Sequence, residues 1–166
     1  DDYREAWIHS IRNFVLEGAN ARFSGLGENG YLAIKEPNGS IGAPLGVGPY
    51  AGKRDEVFQE WSQGIATIAA CPNVAVKLGG VGSLRSGYDW HERAVKPSSQ
   101  ELAQVLKPYL EHCIERFGVE SCMFESNFPV EKSSNGYVNL WNAFKKITQH
   151  YSISERAALF HDTAAR

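Results

Sequence analysis

Apolar residues recur at helical spacing in three stretches of the chain. Tyr3, Trp7, Ile11, Phe14 and Val15 mark a helix over 1–17, with acidic residues in its first turn and Gly18 placed to end it. Val57, Phe58, Trp61, Ile65 and Ile68 mark a second over 55–70, which Cys71-Pro72 ends. The strongest signal runs from Leu102 through Leu106, Leu110 and Ile114 to Phe117. Ser98 and Glu101 stand ahead of it in capping-box spacing, and Gly118 sits where the C-terminal cap belongs. Pro108 interrupts this pattern and is expected to kink the helix.

Two short apolar runs break the helical period. Val74–Leu78 (VAVKL) is β-branched and closed by Gly79-Gly80, as suits a strand buried on both faces of a parallel sheet. Cys122–Glu125 (CMFE) is a second such run, followed by turn-forming residues up to Gly136. Residues 138–147 and 155–160 read as closing helices, the latter opened by Ser152 and Glu155 as a second capping box. The glycine-rich stretch 19–52 leaves room for one strand, around 31–34, and is otherwise expected to be loop. Alternating helices and strands imply right-handed crossovers and a parallel sheet, hence an α/β fold.

Composition narrows the functional classes. The 166 residues are 43% hydrophobic and 22% charged, enough apolar material for a globular core. A net charge of -2 without a basic stripe argues against nucleic-acid partners, and no basic cluster marks a membrane patch. Cys71, Cys113 and Cys122 lack C-x-x-C spacing and lie among apolar neighbours, so free thiols in a cytoplasmic protein are expected. No apolar run reaches membrane-spanning length, and the charged start DDYREAWIHS does not read as a signal peptide. The Asn38-Gly39-Ser40 sequon carries no weight without signs of secretion.

Candidate chemistry concentrates after the two strand-like runs. Gly25–Gly30 matches G-x-G-x-x-G, but an extended stretch and Pro37 follow it instead of a helix, so it reads as a loop and not as a nucleotide cradle. Gly79-Gly80 and Ser126–Pro129 place turn residues and polar groups at the C-terminal ends of parallel strands, where barrel enzymes hold their active sites. Both also suit ordinary strand-to-helix loops. The five histidines form no H-x-H or H-E-x-x-H pair. His112, His150 and His161 fall on helices or near their ends and read as surface residues. His91, in Asp89-Trp90-His91-Glu92-Arg93, lies on a loop at the presumed active end and stands equally as a site residue or an ordinary loop histidine.

From about Ile41 to Arg166 the sequence resembles the amidohydrolase-related family, the group that includes lactonases acting on pyrone dicarboxylate and sugar lactones, and related decarboxylases. The resemblance rests on IGAPLGVGPYAGKRDEVFQEW, CPNVAVKLGG, GYDWHER, the capped helix ending in ERFG, CMFESNFPVEK, LWNAFKKI and ALFHDTAAR, in that order. It implies a (β/α)8 barrel, with Val74–Leu78 and Met123–Glu125 resembling its seventh and eighth strands. A whole barrel needs roughly 250 residues, so the fold expected here is a partial barrel of C-terminal strands and helices, over 41–166, with a divergent segment over 1–40. An open sheet remnant would expose strand edges, so an isolated chain is expected to be poorly stable or to form a homo-oligomer.

The activity the resemblance implies is hydrolysis of a lactone or related carboxylic ester by water attack at an acyl carbon. The family sets an H-x-H pair after the first strand, a histidine after the sixth and an aspartate after the eighth. Some members hold a divalent metal there. This chain has no H-x-H, carries Ser40 at the histidine position, and has Asn127 at the acid position. No metal site is therefore expected in this chain. Asn127 cannot act as a general base, which leaves Glu125, Glu131 or Glu92 to supply an acid, or Asn127 to orient substrate while groups elsewhere do the chemistry. The candidate site is Asn127, His91 and Glu125 for catalysis, with Lys77, Trp90 and Arg93 for a small-molecule substrate. Lys77 could serve an oxyanion or substrate carboxylate, but the plainer reading, a strand residue paired with a neighbouring acid, is favoured. The alternative function is a catalytically inactive barrel fragment that acts as a binding or assembly module.

Overall fold

A computed structural model describes residues 22–23, 53–72, 74–82 and 88–166. The helix expected over 1–17, the strand over 31–34 and the Gly25–Gly30 motif lie outside these residues. The described chain runs as β1 (Arg22–Phe23), α1 (Arg54–Ala69), β2 (Ala75–Leu78), α2 (Ser99–Phe117), β3 (Cys122–Phe124), α3 (Tyr137–Ile147) and α4 (Ile153–Ala157), which continues as a π-turn over Ala158–Asp162 into α5 (Thr163–Ala165). The strands form one sheet in the order β1-β2-β3, both pairs parallel. Arg22–Phe23 falls in the glycine-rich stretch, where the sequence predicts loop. Two residues carry no period, and only pairing of Arg22 with Ala75 and of Phe23 with Val76 makes them a strand.

Alternation along β2 sorts the faces of the sheet. Val76 and Leu78 are fully buried and belong to the core, while Ala75 and Lys77 are half-buried on the other face. In register, Val76 pairs with Cys122, Lys77 with Met123, and Leu78 with Phe124. The core is therefore made by Val76, Leu78, Cys122 and Phe124 against the helices. Phe124 stacks on Phe144 of α3 at 4.5 Å between ring centroids, and Leu106, Leu110 and Leu140 close the layer.

α1 docks on α2 through aromatic rings. Phe58 meets Tyr109 edge-on at 5.1 Å, and Trp61 lies 5.2 Å from Tyr109. His112 joins this interface instead of the surface: it is half-buried, and its Nε2 donates to the Ser62 carbonyl at 3.0 Å. A carbonyl can only accept, so this contact fixes the proton on Nε2. Pro108 does not interrupt α2, which runs unbroken from Ser99 to Phe117. Pro108 and Gln104 are both exposed, so the carbonyl deprived of its donor lies on the water side.

The helix ends follow their sequence signals. Ser98 accepts from the Glu101 amide at 3.2 Å, and Ser152 with Glu155 forms a complete capping box. Cys71, Cys113 and Cys122 are free thiols. Burial pushes the Cys122 thiol up to about 12, so it packs as a small apolar group.

Candidate active site at the strand ends

The C-terminal ends of β2 and β3 come so close together that only glycine fits at position 79. A Cβ there would collide with Glu125 Cγ and lie 2.5 Å from the Glu125 carbonyl oxygen. The Glu125 amide donates to the Leu78 carbonyl at 3.3 Å, extending the ladder by one bond. Alternation then sets Glu125 on the face of Lys77 and Met123, away from the helices, where Lys77 Nζ pairs with Glu125 Oε2. The Lys77 and Glu125 side chains are 38% and 19% exposed, so the pair remains reachable.

Beyond Glu125 the chain reverses sharply. Ser126 Oγ accepts from the Phe128 amide at 3.3 Å, Asn127 adopts the left-handed conformation (φ 51°), and Phe128-Pro129 is cis. Asparagine is among the few side chains that tolerate this backbone. A 3₁₀ turn over Val130–Ser133 then carries Glu131 inward, to 1% exposure.

Asn135 Nδ2 donates to the Glu131 carboxyl at 2.8 Å from Oε2, and the Asn127 side chain and the Gly82 backbone stand beside it. These polar neighbours favour the anion. Burial outweighs them, the nearby Glu125 charge adds to it, and Oε1 is buried with no partner of its own, so the carboxyl is pushed up to about 7. Gly82 is where this network meets the loop that follows β2. A Cβ there would lie 2.9 Å from Asn135 Nδ2, 3.1 Å from Glu131 Oε2 and 3.3 Å from Trp90 Cζ3.

The remaining candidates are held elsewhere. Trp90 is 2% exposed, stacks on Tyr88 at 4.5 Å and belongs to the core. Arg54 in turn covers the Tyr88 ring at 4.3 Å. Arg93 NH1 pairs with Glu101 at 2.5 Å. His91 is exposed on the 3₁₀ turn Trp90–Glu92, with its Nε2 3.7 Å from Glu92. The structure thus joins Lys77 to Glu125 and Asn127 to Glu131, and gives His91, Trp90 and Arg93 other neighbours. Lys96 fastens the segment after Arg93 to the Glu131 turn, through the Lys132 and Ser133 carbonyls.

Behind Glu131, a cavity of about 10 Å³ is lined by Gly79–Gly82, Leu106, Leu110, Leu140 and Phe144. Small-molecule sites run to roughly 300 Å³ and more, so this cavity is a packing gap in the core.

Parallel strands, glycine loops and acids gathered at the strand ends define an α/β protein whose polar groups cluster at the C-terminal ends of its strands. Residues 43–166 match the family described as Amidohydrolase, and the chain belongs to that family. Two crystal structures of an amidohydrolase from Burkholderia multivorans, one with bound HEPES and one with bound zinc, share its fold. Their TM-scores are 0.64 and 0.63 at 22% identity, covering 93% of this chain and 55% of theirs. The uncharacterized protein y4mH of Sinorhizobium fredii is 44% identical over 108 residues, which is 65% of this chain and 32% of that protein. The chain therefore spans about a third of one relative's length and just over half of the other's.

Among the described residues, no group of three or more His, Cys, Asp or Glu side chains is placed to hold a metal ion. Glu125 is committed to Lys77, and Glu131 to two asparagines and Gly82. The described residues by themselves do not furnish a metal centre. No helix among them is long and apolar enough to cross a membrane.

Proposed function

We propose that this chain is the C-terminal part of a (β/α)8 barrel hydrolase, with β2 and β3 as its seventh and eighth strands, that opens a lactone or related carboxylic ester. The supporting observation is the Lys77–Glu125 pair at the strand ends, on the sheet face turned away from the helical core. In this reading Glu125 takes a proton from water as the water oxygen bonds to the acyl carbon. The carbonyl electrons move onto oxygen, and the Lys77 ammonium stabilises that charge. Collapse of the tetrahedral intermediate breaks the bond to the ring oxygen, which leaves with a proton. Asn127 orients the substrate and does not act as base. His91, exposed on its turn, reaches the substrate from the loop side, while Trp90 and Arg93 shape that loop.

The test is hydrolysis of a panel of lactones and carboxylic esters by the full-length protein. Glu125→Gln is expected to lower kcat about 10²–10⁴-fold with the fold retained. An unchanged rate would remove Glu125 from the mechanism. Failure of the full-length protein to open any member of the panel would favour the second reading, an inactive binding or assembly module. That reading draws support from the lack of a metal-holding cluster among the described residues.

A further inference from the structure

We infer that Glu131 is the positioning residue of this site: its buried carboxylate clamps the loop after β3, through Asn127, to the loop after β2, through Gly82. The inference takes the strand ends as the reactive site, as proposed above. Lys96 also ties the two connections, through the Lys132 and Ser133 carbonyls, but those bonds are exposed and reach neither Gly82 nor Asn127. Ser126 Oγ bonds only within its own turn, and the Lys77–Glu125 pair lies on the far face of the sheet.

Glu131 has the anatomy of a clamp. It is 1% exposed, and the 3₁₀ turn anchors it on both sides, the Glu131 amide donating to the Asn127 carbonyl at 3.2 Å and the Asn135 amide to the Glu131 carbonyl at 3.0 Å. Asn135, itself 1% exposed, braces Oε2 at 2.8 Å. Gly82 approaches so closely that a Cβ would press on Asn135, Glu131 and Trp90 together. α2 and α3 supply only Leu106, Leu110, Leu140 and Phe144 to the neighbouring cavity. A buried carboxylate against that apolar wall is costly. Its several polar neighbours make sense if its task is to hold Asn127 in a left-handed turn at a fixed distance from the glycine loop. Asn127 then acts through the geometry Glu131 imposes.

Amide hydrogen exchange on the full-length protein tests this without a substrate. Glu131→Leu keeps the volume and removes the acceptors, and is expected to speed exchange at the Gly82 amide at least about tenfold, with the core amides of α2 and α3 unchanged. Glu131→Gln keeps one acceptor oxygen and the shape, and is expected to hold Gly82 exchange within about threefold of wild type. Unchanged Gly82 exchange in the Leu variant would overturn the clamp, as would equal loss of protection throughout α2 and α3. If the Leu variant does not fold, Asn135→Ala, which removes the brace on Oε2, is expected to speed Gly82 exchange, and unchanged exchange there overturns the clamp as well. Because exchange needs no turnover, failure of the hydrolase reading and failure of the clamp remain distinguishable.

Discussion

Alternate residues of the same strands build the two sides of the sheet to opposite ends. Toward the helices, Val76, Leu78, Cys122 and Phe124 join a core in which Trp61, Phe144 and Leu159 are also almost wholly buried. Toward the other side and at the strand ends stand Lys77, Glu125 and the Glu131 network. The first side is held by area removed from water, which is non-directional and tolerates repacking. The second is held by a few directional bonds in a confined space, where losing one partner strands another. The apolar side should therefore carry most of the stability, and the polar side most of the pH dependence and the chemistry.

The sharpest way to break the apolar side is Phe144→Ala. It removes the stacking partner of Phe124 next to an existing cavity and should cost about 3–5 kcal/mol in denaturant unfolding. A loss below about 1 kcal/mol would mean that the helical face is not what holds the sheet.

Next comes the pH dependence set by Glu131. Its folded carboxyl is pushed up to about 7 from an ordinary value of 4.5, so the folded state binds the proton more tightly than the unfolded state. Its contribution is complete below the unfolded value and is lost as pH rises toward and through about 7. The total is on the order of 3 kcal/mol. Glu131→Gln should flatten that fall in unfolding curves taken between pH 4.5 and 8. An equally steep fall in the variant would assign it to another group.

Gly79→Ala joins the two sides, since its Cβ meets the Glu125 backbone. It should cost about 1–3 kcal/mol and displace Glu125. A neutral effect would show that the strand ends yield more easily than their spacing implies. Smallest in stability is Lys77→Met. The pair is partly exposed, so unfolding should change by less than about 1 kcal/mol, while ester hydrolysis, if Lys77 stabilises an oxyanion, should drop well beyond that.

Much of the architecture was legible from local pattern. Apolar spacing located the helices at 54–69, 99–117 and 137–147 to within a residue or two, and Ser152 with Glu155 announced its capping box. VAVKL and CMFE stood out because β-branched or apolar runs bounded by glycine or turn residues suit buried parallel strands. What failed depended on distant partners. Arg22–Phe23 is a strand because β2 lies beside it. His112 is tucked in because Ser62 offers a carbonyl from another helix.

The site divides the same way. The sequence by itself marked the segment 121–132 as the place to look, and it limited Asn127 chemically, since an amide cannot take a proton at neutral pH whatever the fold. It also supplied Glu125, Glu131 and Glu92 as acids and set Glu125 in the candidate site, without a physical ground that distinguished them. Only the tertiary structure separated them. Glu125 comes out on the open face against Lys77, Glu131 turns inward beneath Asn127 and Gly82, and Glu92 stays exposed beside His91. The physical reason is that a carboxylate's role follows from its burial and its donors. Here Asn127 and Asn135 are local to Glu131, but Gly82 beside it and Lys77 beside Glu125 come from β2 and its end, about fifty residues away along the chain.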